Sequence, residues 1–284
     1  MDKKLFSYML WTYRVVKRYL VKDTAYLLLY LYRYFQNNHR NNCKFYTEEE
    51  FVHLIGKGKS IIRIGDGEIG LLHFLPVIYQ IYSDAIRNDF KKIIQDYNDD
   101  SDYLLLIPTF VNYTNAELKR TNHFKIYRQL KITYELLFNK NAKYFDQLAF
   151  YKDVNFKKLI LPYIKTKKVI IVTNRENKEK IASSPLSSNE YFYVTCENEN
   201  TYESRLIIQN DIIDIIYRTG LPKNNFVILM SAGLSKTIIY DLSSEGYQVL
   251  DIGKGLESYY TETSIEYRLR IPQESMQKNN SKKQ

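Results

Sequence analysis

Asp66 and Glu68 stand two residues apart in the run Arg63-Ile64-Gly65-Asp66-Gly67-Glu68-Ile69. Hard carboxylate oxygens at this spacing suit Mg²⁺ or Mn²⁺, which bind through one or two carboxylates and complete their shells with water and substrate phosphate. Gly65 and Gly67 permit backbone conformations closed to other residues and leave room for a phosphate to approach. In an extended loop the two carboxylates would point to one side, as alternate residues do. A plain tight turn is the competing reading, because Gly, Asp and Glu are ordinary turn residues and a D-x-E tripeptide recurs by chance.

The element that must hold this loop lies just before it. Ser60, Ile61, Ile62 and Ile64 form a β-prone run that suits a buried pleated surface, and the spacing predicts a strand that ends where the loop opens at Gly65. Upstream, Thr47 and Glu50 form a capping box that opens a short helix carrying Phe51, Leu54 and Ile55 to the core.

Downstream, the pattern predicts a helix over 83–97 and a strand over 103–107, which Pro108 stops. Helix follows over 115–140 in two pieces, and a short helix over 155–161 is stopped by Pro162. Further strands are expected over 169–172, 191–195, 226–230 and 247–251, with helices over 204–218 and 234–245 and a loop over 180–189. His73 lies in an apolar stretch and reads as a core residue, while His123 is given no role. Strand-then-helix repetition implies an α/β fold, a mainly parallel Rossmann-like sheet with flanking helices and an N-terminal helical extension. Ligands of such sheets sit outside the carboxyl ends of the strands. Those ends fall at Asp66, Pro108, Asn174, Cys196, Ser231 and Asp251.

With 284 residues, 45% hydrophobic and 26% charged, the chain can bury one substantial core. Its net charge of +9 is concentrated at the ends: residues 1–22 carry +5 and residues 276–284 carry +3. The remainder is almost neutral, which argues against a nucleic-acid groove. Cys43 and Cys196 provide neither a disulfide framework nor zinc-ligand spacing, and a reducing cytoplasm fits.

Residues 3–35 read as a basic amphipathic helix, followed by an asparagine-rich linker around 36–42. Its apolar run is too short to cross a bilayer. Two uses of the helix stay open: lying on an anionic membrane at the inner face of the plasma membrane, or packing on its own domain or a second copy. This divides the chain into an extension over 1–42, a main domain over 43–270 and a basic tail over 271–284.

The second constellation is Ser231-Ala232-Gly233, a small-residue turn between a strand and a helix whose free N–H groups and positive dipole end suit a phosphate. A tight turn without ligand competes with this reading too. The chain lacks a Walker lysine pattern and a full G-x-G-x-x-G, which disfavours ATP hydrolysis and standard dinucleotide binding.

Three ordered blocks resemble the bacterial GT-D glycosyltransferases over about residues 47–260. Arg63–Glu68 matches the family's R-[FI]-G-D-G-E signature. Cys196 with Asn200-Thr201-Tyr202 is similar to its C-P-x-x-N-A-[FY] segment. Tyr240-Asp241-Leu242 and Gly246–Gly253 resemble its C-terminal block, and Gln80 stands where relatives carry a glutamine. The chain departs at Ser231-Ala232-Gly233, where relatives have a glycine-proline-threonine turn, at Glu197 for proline, and at Lys254 for histidine.

The resemblance implies a metal-dependent hexosyltransferase moving a sugar from a nucleotide sugar, a UDP-sugar foremost, to a lipid-linked or protein-linked glycan. Asp66 and Glu68 would hold Mn²⁺ or Mg²⁺. Arg63, Gly65, Gly67, Asn200, Ser231, Ala232 and Gly233 would hold the nucleotide sugar, and Asp251 would help position substrate. Asp84, Asp251 and Glu257 are candidates for the base. A non-catalytic nucleotide-sugar-binding subunit and a metal-dependent phosphoryl or nucleotidyl transferase are the rival readings, and a homo-oligomer stays open.

Overall fold

Strict alternation of buried apolar residues decides how the strands are used. In the computed structural model, which describes residues 13, 15–35, 40–77, 79–121, 124–147, 160–183, 191–233, 235–253 and 256, the chain forms an α/β fold around an eight-stranded sheet. In chain order the principal elements are α1 (Thr24–Phe35), β1 (Lys44–Phe45), α2 (Glu48–Gly56), β2 (Ser60–Arg63), α3 (Asp66–Leu72), α4 (Asp84–Gln95) and β3 (Tyr103–Ile107). They continue with α5 (Asn115–Leu118), α6 (Phe124–Leu137), β4 (Lys143–Asp146), α7 (Leu161–Ile164), β5 (Lys168–Thr173), α8 (Arg175–Ala182) and β6 (Tyr191–Thr195). The last are α9 (Arg205–Thr219), β7 (Phe226–Ser231), α10 (Lys236–Ser244) and β8 (Val249–Asp251).

Every pairing is parallel, in the order β1-β4-β3-β2-β8-β7-β5-β6. Parallel strands buried on both faces require an apolar core on each side. Leu105, Ile170, Val172, Ile228 and Met230 face one core, shared with α3, α4, α6, α9 and α10. Leu104, Leu106, Val169, Ile171, Val227 and Leu229 face the other, shared with α2, α7 and α8. The chain leaves β2 toward β3 on one side, whereas β2's other neighbour is the last strand, β8. That reversal opens a crevice at the carboxyl ends of β2 and β8.

The Thr47 capping box forms as the sequence predicts, with Glu50 N–H donating to Thr47 Oγ1 and Thr47 N–H to Glu50 Oε2. Two short strands, β1 and β4, carry too little apolar sequence to be read without their partner. Pro162 sits in the first turn of α7, where its missing N–H costs nothing, while the helix expected before it lies almost entirely outside the described residues. Part of the loop expected over 180–189 is instead the end of α8, capped by Asn174 through the Asn177 N–H at 2.7 Å. Residues 3–12, 155–159, 184–189 and 271–284, with His123, Lys254 and Glu257, lie outside the described residues.

Residues 15–22 and α1 are helical and pack on the domain. Tyr19 and Tyr26 are buried with Phe74, and Tyr19 bonds His73 Nδ1. Asp23 between them binds Arg87 at 2.8 Å and Lys91 at 2.5 Å.

Candidate active site

The loop after β2 is not extended. A helix starts at once: Asp66 is its first residue, and Glu68 lies in the same turn with its Oε2 accepting the Gly65 N–H at 2.8 Å. Two positions along a helix diverge around its axis, so the carboxylates do not share one side as an extended chain would have them. Asp66 is exposed; Glu68 is 5% exposed. This corrects the geometry expected for the pair.

Glu68 turns inward toward Lys236, whose Nζ lies 3.2 Å from its Oε1 and 3.1 Å from Asp251 Oδ2. Asp251, at the end of β8, is clamped from the other side by Arg63, the last residue of β2. The guanidinium reaches Asp251 Oδ1 at 2.9 and 3.1 Å, and the Arg63 N–H donates to Oδ2 at 3.2 Å. Two cations and two anions thus meet in the β2–β8 crevice. Burial would raise the Asp251 carboxyl, but Arg63 and Lys236 hold it below the usual carboxylate range. Burial would likewise depress the Lys236 ammonium, yet Asp251 and Glu68 keep it charged, above its ordinary value.

A lid of loop residues lies over this group. A Cβ on Gly67 would collide with the Tyr79 hydroxyl, and one on Gly233 would come within 3.2 Å of Thr201 Oγ1 and 3.4 Å of Tyr79 Cδ2. The loops carrying Tyr79, Thr201 and Gly233 therefore converge beside Asp66. Asn200, in the left-handed region at φ +54°, joins two of them: its N–H donates to Tyr79 O at 2.9 Å and its Oδ1 accepts the Ile81 N–H at 3.0 Å. Gln80 is buried and completes the brace, with Nε2 on Glu203 at 3.0 Å and Oε1 accepting the Tyr202 N–H at 3.3 Å.

Ser231 Oγ donates to Gly253 O at 2.8 Å, fastening the ends of β7 and β8 together. Beyond Ser231, Ala232 and Gly233, α10 begins without a side-chain cap, and Ser235 Oγ and Thr237 Oγ1 are buried with no hydrogen-bond partner. An uncapped first turn presents backbone donors to an anion.

Of the sequence-predicted residues, Arg63, Gly65, Asp66, Gly67, Glu68, Ser231, Ala232, Gly233 and Asp251 lie at the crevice, and Asn200 braces its rim. Asp84 is engaged elsewhere, by Lys22 and by the Tyr82 hydroxyl at 2.5 Å. Lys236 and Tyr79 are absent from the sequence reading. Lys236 did leave a signal, since a cation opening a helix opposes the macrodipole and calls for a compensating anion.

The donor set fits a divalent ion in part. Exposed Asp66 can supply one carboxylate oxygen, with phosphate and water completing a hard shell. Both Glu68 oxygens are already bonded, so Glu68 serves as an ion ligand only if Lys236 releases it. Among the described residues, no group of three or more His, Cys, Asp or Glu is placed to hold a metal.

Comparison with known proteins follows the same outline. Residues 61–278 match the family described as Glycosyltransferase GT-D fold. A Streptococcus gordonii protein named Probable glycosyl transferase Gly is 20% identical over 216 residues, covering 72% of this chain, which spans only 31% of that relative's length. A solved structure described as a new glycosyltransferase (DUF1792) from Streptococcus sanguinis superposes with TM-score 0.60 at 18% identity, covering 77% of this chain and 84% of that one. Another, described as showing that the highly conserved domain of unknown function 1792 has a distinct glycosyltransferase fold, gives TM-score 0.60 at 19% identity, covering 81% and 83%. At such identities the likeness to solved structures establishes the fold. With the family match extending over most of the sequence, the chain belongs to the glycosyltransferase GT-D fold family.

Proposed function

We propose that this protein is a metal-dependent glycosyltransferase that moves a sugar from a nucleotide sugar, a UDP-sugar, to a lipid-linked or protein-linked glycan. The observation that carries the reading is the juxtaposition of exposed Asp66, the buried Arg63–Asp251–Lys236–Glu68 charge group and the uncapped first turn of α10 at the strand-order reversal.

In the reaction, the bond between the anomeric carbon and the diphosphate oxygen breaks with its electron pair leaving on the diphosphate, the acceptor hydroxyl oxygen bonds to the anomeric carbon, and the hydroxyl proton passes to solvent water. A divalent ion held by Asp66 would supply Lewis-acid stabilisation for the charge that grows on the departing diphosphate. The first turn of α10, with Ser231, Ala232 and Gly233, offers backbone donors to the phosphates. Lys236, the first residue of that turn, can exchange a carboxylate for a phosphate oxygen; the exchange leaves the sum of protein charges unchanged, so the charge the substrate brings would have to be offset by the divalent ion. Asp251 acts as a positioning residue: both of its oxygens are bonded, so it holds Arg63 and Lys236 rather than receiving the hydroxyl proton. Asn200 serves through the loop brace, fixing Tyr79 over Gly67.

The test is UDP release from a panel of UDP-sugars with Mn²⁺, with and without EDTA, for the wild type and Asp66→Ala. Turnover of one donor that EDTA and the substitution both abolish supports the reading. Absence of both turnover and metal-dependent UDP binding overturns it in favour of a partner subunit. Transfer of a phosphoryl or nucleotidyl group without sugar incorporation overturns it in favour of phosphorus chemistry.

A further inference from the structure

Residues 15–35 have two faces, and the domain uses only one. The inward face is held by Tyr19, Tyr26 and Phe74 packed together, by Asp23 on Arg87 and Lys91, and by Arg33 on Glu135 at 2.9 Å. The outward face carries Leu20, Val21, Leu28, Leu29, Tyr32 and Phe35, each more than half exposed, with Val21 and Phe35 at 75%. These side chains lie on two successive helical segments, 15–22 and α1, that are held in place from their other side and cannot turn inward, and exposed apolar side chains grouped in this way mark an interaction site.

We propose that this face docks the protein onto an anionic lipid bilayer. Charge selects this occupant. Between Lys3 and Thr47 the only acidic residue is Asp23, and its carboxylate is consumed by Arg87 and Lys91. Against it stand Lys3, Lys4, Arg14, Lys17, Arg18, Lys22, Arg33, Arg40 and Lys44. Arg18, Lys22, Arg33 and Arg40 bind the domain, Arg40 through Glu117 at 2.7 Å, whereas Lys17 is exposed beside the apolar face. An apolar helix face with cationic flanks and no acidic side chain of its own suits an anionic lipid surface, where each Lys or Arg near the headgroups adds about 1 kcal/mol. A second copy would bring the same cationic segment to the shared surface without an acidic counterpart from it. No helix among the described residues is long and apolar enough to cross a membrane, so the contact is made by lying on the surface.

The mount also sets where the crevice stands. His73, bonded to Tyr19, caps the C-terminal end of α3, and Asp66 opens its N-terminal end; seven helical residues separate the two by about 10 Å. Resting on the glycosyl-transfer reading, this keeps the donor crevice within one short helix plus the width of the docking segment, about 10 Å more, of the bilayer, and selects an acceptor carried by a lipid.

The experiment is co-sedimentation of the full chain with phosphatidylcholine vesicles and with vesicles containing phosphatidylglycerol, for the wild type and the exposed double variant Leu28→Ser/Leu29→Ser. Unchanged thermal melting establishes that the variant folds. The expected result is sedimentation with anionic vesicles only, weakened at least about tenfold by the double substitution and by high salt. Wild type that stays in the supernatant overturns the proposal, as does a variant that sediments equally well. If lipid-free ultracentrifugation finds a wild-type dimer and a monomeric variant while vesicles bind neither, the face belongs to a second copy. UDP release from a soluble donor without vesicles reports on the catalytic reading alone, so the two ideas fail separately.

Discussion

Lys236 Nζ lies 3.1 Å from Asp251 Oδ2, with the lysine side chain 7% exposed and the aspartate 2%. Opening a helix with a buried cation is unfavourable for the macrodipole and for solvation, and the two carboxylates offset both costs. Removing one member of such a group leaves a buried charge uncompensated.

Lys236→Met should therefore lower the free energy of unfolding by about 3–5 kcal/mol in urea titrations and abolish sugar transfer. Adding Glu68→Gln should return part of that stability, because a neutral amide no longer needs the cation. A double variant less stable than Lys236→Met would show that the pair does not act as a charge partnership.

Asp66 and Glu68 should separate cleanly when each is changed. Exposed Asp66→Ala should shift stability by less than about 0.5 kcal/mol while cutting metal-dependent turnover by about 100-fold or more. Glu68→Ala removes the bond to the Gly65 N–H as well as the Lys236 partner, and should cost about 2–3 kcal/mol of stability. Chemical denaturation beside initial rates reads both; equal loss of stability in the two variants would contradict the division of roles.

Gly253 has φ +43°, and a Cβ there would collide with the Arg63 guanidinium. Gly253→Ala should push Arg63 off Asp251, destabilise the protein by about 2 kcal/mol or more, and weaken UDP binding measured by calorimetry. Wild-type affinity and stability in that variant would mean that Arg63 can lie elsewhere at no cost.

Burial pushes the His73 imidazole down to about 3, with Arg87 adding to the effect, while the unfolded chain titrates near 6.5. Between those values the unfolded state holds a proton that the folded state excludes. Stability is full above about pH 6.5 and falls as pH drops, by up to about 1.4 kcal/mol per unit. His73→Gln should flatten the dependence between about pH 6.5 and 4.5, above the range in which Asp251 begins to take up its proton. Unfolding midpoints at pH 7 and 5 for both proteins test this; parallel slopes would refute it.

Local chemistry made much of this fold legible. Runs such as Tyr103–Ile107 and Tyr191–Thr195 are strands because β-branched, aromatic and leucine side chains fit a buried sheet, and Thr47 with Glu50 closes a capping box from four consecutive residues. The position of the crevice follows from the same pattern, since strand-helix repetition puts loops at the carboxyl ends of strands. Other features needed the third dimension. Glu68 looks like a ligand in sequence, but α3 turns it inward toward a lysine brought by a distant helix, and only the pairing of β2 with β8 puts Arg63, Asp251 and Lys236 within reach of one another. Strands β1 and β4 were hidden because their stability comes from a neighbour rather than their own residues. Residues 3–35 announced an amphipathic helix by the spacing of their apolar and basic residues, yet over 15–35 packing decided which side chains meet the domain and which meet solvent, because burial is a property of what lies opposite a residue, and the chain by itself does not say what that will be.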